Sequence, residues 1–324
     1  MNYHIFLPIG QVRHHTRVMR GFGHYAFVLL TLLLIGCPQP AAYREPITRF
    51  QQASTVVIES ARTDYGIANK GERNAEIDRR VAKGEKITLR DLNDEKLRLL
   101  GPDDLAARMA ALDALAKHGQ LLLTLASSDA PTKAHDAANS LDDAINGLST
   151  ALGHVPSDRF KSTAEGFATI AAEAAKLVLE VKISQALDKA ITASEQSVKA
   201  LIQLLRTEMA ALYERRRTHL SAARVSATDE YNEALAKPSP SLSELQRAAA
   251  QIKKIEDEWD TLPLLLGAGP SLDAMGQAHQ KLVDYAKSSK TPQDLAGLIE
   301  AIDAFVTRAK VIADAIKTIR EAKD

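Results

Sequence analysis

From Phe167 to Lys237 the chain runs for 71 residues without a glycine or a proline. At about 1.5 Å rise per residue such a stretch could form roughly 107 Å of helix. A single rod of that length is too long for a globular helix, so a break is expected near Lys182 to Gln185. There Leu177, Leu179, Val181 and Ile183 alternate, a period-two pattern that would suit a short strand. Helical periodicity on both sides and the lack of turn residues favour helix. Within the same stretch Ile191, Val198, Leu205 and Leu212 recur every seven residues, flanked by Leu187, Leu201, Ile202 and Met209. The end of the chain repeats the device, with Leu295, Ile302, Ala309 and Ile316 on one line and Leu298, Phe305, Ile312 and Ile319 three places on. Seams this regular pack against partner helices at shallow angles. The fold class is therefore all-α: an elongated helical bundle with long, coiled-coil-like helices.

The remaining helices follow from their punctuation. Glu45-Pro46 opens one carrying Ile47, Phe50, Val57 and Ala61, and Gly84 can close it. Gly101-Pro102-Asp103-Asp104 opens a second, through Leu105, Met109, Leu112, Leu115 and Leu122. Others run from Pro131 to Gly153 and from Ser157-Asp158 onward, and Pro238-Ser239-Pro240 stops the long stretch. Ser241 with Glu244 forms a capping-box pattern for a helix reaching Trp259, and Pro270-Ser271 starts another through Leu272, Met275, Leu282 and Tyr285. Thr291-Pro292 supplies an N-cap hydroxyl and a proline at the first helical position of the last helix. Residues 46–324 read as a single helical-bundle domain.

Lys and Arg number 41 against 41 Asp and Glu, and the pI is about 7.1, so the chain has no basic footprint for nucleic acid. The 45% apolar content lies far from the signature of disorder. One cysteine can form neither an internal disulfide nor a cysteine-rich zinc site.

That cysteine is placed tellingly. Arg13, Arg17 and Arg20 precede an apolar run from Ala26 to Ile35, which at about 15 Å is too short to span a bilayer. A basic flank, a short apolar stretch and small residues make residues 1–36 a secretory signal peptide. Leu34-Ile35-Gly36-Cys37 resembles the lipobox of bacterial lipoproteins. The resemblance covers about twenty residues and implies that Cys37 becomes the acylated mature N-terminus. Several acyl chains, at about 0.8 kcal/mol per buried CH₂, would hold it permanently to a membrane. Met19 begins a compact signal of its own, so residues 1–18 read as an over-extended start. Pro38 stands where the family places Asp for inner-membrane retention, which by resemblance favours the outer membrane. Residues 37–45 are expected to be a short lipidated tether.

No reaction constellation is recognisable. The chain lacks H-E-x-x-H, P-loop, G-x-S-x-G and EF-hand spacing, and no Glu stands three residues before His118, His135, His154, His219 or His279. No catalytic residue, cofactor or metal ligand is expected. Each histidine reads as a surface or helix-end residue, the pairs Asp103-Asp104 and Asp142-Asp143 as helix-start or surface acids, and Arg215-Arg216-Arg217 as a solvated face.

Two features suggest contact surfaces. From Asn69 to Arg80 the first helix is almost wholly polar, with Ile77 and Val81 sparse before Gly84 and a return through Ile87, Leu89 and Leu92. So thin an apolar stripe cannot lie deep in a core, so a protruding helical hairpin is expected, whose tip docks an envelope protein or has no partner. The run from Leu262 through Leu264, Leu265 and Leu266 to Gly269 reads as an apolar loop, folded over a bundle end or offered to a membrane or partner. The expected function is a lipid-anchored, non-catalytic envelope scaffold or adaptor; the alternative is a membrane-active helical protein loosely like pore-forming toxins. The Leu295 to Ile319 seam could equally pair two copies into a homo-oligomer.

Overall fold

Proline opens four of the helices, at positions where its missing N–H leaves no hydrogen bond unmade. The computed structural model describes residues 40–89, 100–127, 131–155, 158–180 and 183–321. Among them stand nine helices: α1 Pro40–Lys83, α2 Pro102–Ser127, α3 Pro131–Leu152, α4 Asp158–Glu180, α5 Ile183–Ala193, α6 Glu195–Leu235, α7 Leu242–Trp259, α8 Leu262–Lys287 and α9 Pro292–Glu321. No strand occurs among the described residues, so the fold is an all-α helical bundle. Residues 39–324 form one compact unit.

The heptad seam of α9 is consumed within the chain. Leu298, Ile302, Phe305, Ala309 and Ile312 are buried, with Leu295 and Ile316 half-buried beside them. α9 packs between α8 and α1, where the Phe305 ring meets Phe50 at 5.6 Å. Its start is the one the sequence predicts. Thr291 Oγ1 accepts from the Asp294 amide at 3.2 Å, and the Asp294 carboxylate accepts from the Thr291 amide at 2.9 Å. Thr291→Ala is expected to cost about 1 kcal/mol in denaturant unfolding.

α1 starts earlier than its sequence reading and stops at Gly84 as expected. It begins at Pro40, so most of the stretch 37–45 expected as a tether is helical. The helix passes through Pro46, losing one backbone hydrogen bond, because contacts on the preceding turn hold it. Tyr43 is buried there, its ring edge-on to Tyr285 at 4.9 Å and its hydroxyl donating to Asp188 at 2.5 Å. At the other end Gly84, with φ 65°, closes the helix in a Schellman motif. Its amide donates to Val81 at 3.0 Å and the Glu85 amide to Arg80 at 2.9 Å.

Among the described residues the long glycine-free stretch is interrupted once. α4 ends at Glu180 and α5 starts at Ile183; the expected break near Lys182 to Gln185 falls partly on residues 181–182, which lie outside those described. The side chains of Leu177, Leu179 and Ile183 also lie outside, but their backbone is helical. The interruption, at Ser194, carries no glycine or proline. The Ser194 hydroxyl donates to the Ile191 carbonyl at 3.1 Å and Ser197 to Ser194 at 3.2 Å, back-bonding that bends a helix. Beyond it α6 buries Val198, Leu201, Leu205, Met209 and Leu212 in the main core, and then Leu220 and Ala227 against Ile255 and Leu262 in a second, smaller cluster.

The expected apolar loop at 262–269 is instead the beginning of α8, which runs through Pro270. Pro263 sits in the first turn, and Gly267 serves close packing: a Cβ there would stand 3.4 Å from Ile312 of α9. The capping box at Ser241 does not form either. The Ser241 hydroxyl meets Ser243 at 2.8 Å, and Glu244 pairs with Lys237.

Candidate functional site

Three places carry more chemistry than packing requires. The first is the start of α1. Asp188 of α5 accepts from Tyr43 and pairs with Lys290, whose ammonium also lies 5.5 Å over the Tyr43 ring. Burial, reinforced by the adjacent Asp188 carboxylate, pushes the Tyr43 hydroxyl far above its ordinary range, so it stays a donor. Lys290 adopts φ 57°, a left-handed conformation that costs a non-glycine residue about 1–2 kcal/mol and is retained here beside this clamp. The clamp fixes the first turns of α1 to α5 and to the α8–α9 turn. The lipobox Leu34, Ile35, Gly36 and Cys37 lie outside the described residues, and Cys37 precedes Pro40 by three positions in the sequence.

The second place is the far part of α1. Asn69 grips the backbone of Leu100 twice, its amide nitrogen donating to the carbonyl at 3.1 Å and its oxygen accepting from the amide at 2.8 Å. This clasp ties α1 at residue 69 to the approach to α2. One turn beyond Asn69, Glu72 accepts from Arg215 of α6 at 2.5 and 2.9 Å. A Cβ on Gly71 would collide with the Arg216 guanidinium, which is buried and paired with Glu258 of α7. Further along, several ion pairs are local: Glu76 accepts from Arg79 at 2.5 Å and Arg80 at 3.0 Å, contacts that hold its carboxyl down at about 2. Val81 is 65% and Leu89 79% exposed, while Ile77 and Ile87 are half-buried. The described residues bring these four together on one outgoing helix and the turn after it; Leu92 and the return leg, residues 90–99, lie outside those described.

The third place is internal and contradicts the surface reading for two of the five histidines, while His135 and His154 are exposed as expected. His118 and His279 are buried at mid-helix positions of α2 and α8, their ring centroids 6.3 Å apart. Neither ring nitrogen of His118 has a hydrogen-bond partner, nor has Nε2 of His279. Burial lowers them to about 4 and about 3, so both are neutral imidazoles at ordinary pH. On α1, Asp64 is fully buried with both carboxylate oxygens unpartnered, and burial raises it to about 7. Local sequence hides these groups, because His118 and Asp64 face the core only through the phase of their helices. Asp64 falls three residues after Ala61 and seven after Val57, the spacing of the buried stripe, which is the signal that could have found it.

The other sequence candidates are dispersed. Leu264, Leu265 and Leu266 belong to the first turns of α8, with their side chains outside those described. Arg215, Arg216 and Arg217 pair with Glu72, Glu258 and Glu214, so they form no common patch. Asp104 accepts from Arg108 at 3.3 Å and Asp142 from Asn146 at 3.3 Å, away from the acids beside them. Among the described residues no three His, Cys, Asp or Glu side chains gather as a metal site, and no helix is long and apolar enough to cross a membrane. Comparison with known proteins finds no family, no curated protein and no solved structure that matches this chain.

Proposed function

We propose that this chain is a lipid-anchored cell-envelope module that works by contact, without a reaction of its own, and that Cys37 is its point of attachment. The observation that carries the reading is α1: it begins three residues after the lipobox cysteine and extends to the exposed Val81. Its 44 residues amount to about 66 Å of helix. The Tyr43–Asp188–Lys290 clamp supports a stiff connection, since it leaves few residues between the cysteine and ordered helix. The residues for the partner contact are Ile77, Val81, Ile87 and Leu89, and the partner is another envelope protein. Pro38 after the cysteine favours the outer membrane as the site of attachment.

A photo-crosslinking residue placed at Val81 or Leu89 in cells that make the protein tests the contact. The expected result is a discrete heavier species from both positions and none from Val311, which is equally exposed on α9. The same pattern from all three positions, or none from any, would remove the tip from the account.

A further inference from the structure

His118, His279 and Met275 line one small cavity in the core, together with Phe50 and Ser54 of α1 and Val198 of α6. Its volume is about 10 Å³, room for a single atom or one water. We propose that these three side chains form a buried binding site for a soft monovalent metal ion, Cu(I), with two imidazole nitrogens and the Met275 thioether as ligands.

The first argument is the unused hydrogen-bonding capacity. A buried polar group without a partner costs about 1–3 kcal/mol, yet three ring nitrogens of these two histidines have none. A bound ion would satisfy one nitrogen of each ring. The second is spacing. A metal–imidazole bond of about 2.0–2.1 Å puts an ion about 3 Å from the centre of each ring. Rings whose centroids are 6.3 Å apart therefore leave the separation that one ion between them needs. Met275 stands one turn before His279 on α8 and adds a sulfur at the same wall.

Charge decides which ion. None of the residues around the cavity is a carboxylate or a thiolate, so whatever binds keeps its full charge in an apolar setting. The cost of burying an ion rises as the square of its charge, which disfavours a divalent ion about fourfold over a monovalent one. Thioether and imidazole are the ligands that select Cu(I). The way in would run between α1 and α2. Gly119 presents no side chain, and only Gln51 stands within 4 Å of where its Cβ would be. Gln51 is held by Thr55 at 3.2 Å and Gln120 at 3.5 Å at the exposed edge, so turning one glutamine side chain opens the path.

The test titrates Ag(I), a redox-inert stand-in for Cu(I), into the full chain carrying Cys37→Ser to remove the thiol. Binding is followed by the side-chain NMR signals of His118 and His279 and by the unfolding temperature. The expected result is saturation of both histidine signals at one ion per chain and a raised unfolding temperature. Met275→Leu, which conserves volume, should fold normally and weaken binding at least tenfold; His118→Leu should abolish the shift at His279. His154→Ala, on an exposed turn, should change neither. Silver that leaves the His118 and His279 signals unmoved, or binds the Met275→Leu protein equally well, would overturn the proposal and leave the cavity to a water molecule. Zn(II) competing on equal terms would also contradict it.

Discussion

Replacing Glu208 by Ala is expected to destabilise the protein by about 3–5 kcal/mol, since breaking a buried ion pair strands the partner charge in a low dielectric. Glu208 of α6 accepts from Arg108 of α2 twice, at 2.7 and 3.0 Å, and from the Tyr65 hydroxyl of α1 at 2.7 Å. Arg108 is buried and its guanidinium lies 4.4 Å over the Phe160 ring of α4, so one carboxylate ties together four helices. Removing it leaves a buried guanidinium with Asp104 as its remaining carboxylate, at 3.3 Å, and takes the acceptor from a phenol that burial already holds well above its usual range. Arg108→Met with Glu208→Met should recover most of the loss, because an apolar pair of similar volume needs no compensating charge. Chemical unfolding of the three proteins checks this. A Glu208→Ala loss under about 1 kcal/mol would show the pair to be solvated, as exposed ion pairs are.

Stability is expected to fall as pH drops from 6.5 towards 4, against the pull of a second buried group. His118 and His279 bind protons near 6.5 in the unfolded chain but only at about 4 and about 3 when folded. Their contribution is therefore complete above 6.5 and lost as pH falls through that window. Asp64 acts oppositely: raised to about 7, it stays protonated in the folded state, and its cost grows as pH rises from 3.8 to 7. Each group changes stability by about 1.4 kcal/mol per pH unit, so two outweigh one and the net loss on acidification is about that amount per unit. The sign makes the measurement decisive. His118→Leu with His279→Leu should invert the slope, so that stability rises on acidification, while Asp64→Asn should steepen the slope and raise stability above pH 7. Identical pH profiles for all three proteins would mean that these groups reach water.

What the sequence made legible was whatever repeats locally. The α9 seam, the Thr291 cap, the Gly84 stop and the stripe Ile47, Phe50, Val57 and Ala61 all emerged in the positions that periodicity and turn chemistry assign. Misreadings came where one residue type serves two purposes. Gly267 and Gly269 beside Pro263 and Pro270 have the composition of a loop, yet Gly267 is where Ile312 approaches α8. Ser194 has no breaker signal because its hydroxyl bends the helix through its own backbone. The clasp of Asn69 on Leu100 and the Arg108–Glu208 pair join positions 31 and 100 apart, a pairing that local periodicity cannot encode. Of the candidate contact residues, Val81 and Leu89 could be read as solvent-facing because the surrounding stripe was too thin to bury them.

Mass spectrometry of the mature N-terminus, on protein taken from the cells that make it, tests the central claim most directly. The first peptide is expected to begin at Cys37 and to carry acyl chains on both the sulfur and the α-amine. A chain that retains residues before Cys37, or whose Cys37 thiol is free, would contradict it.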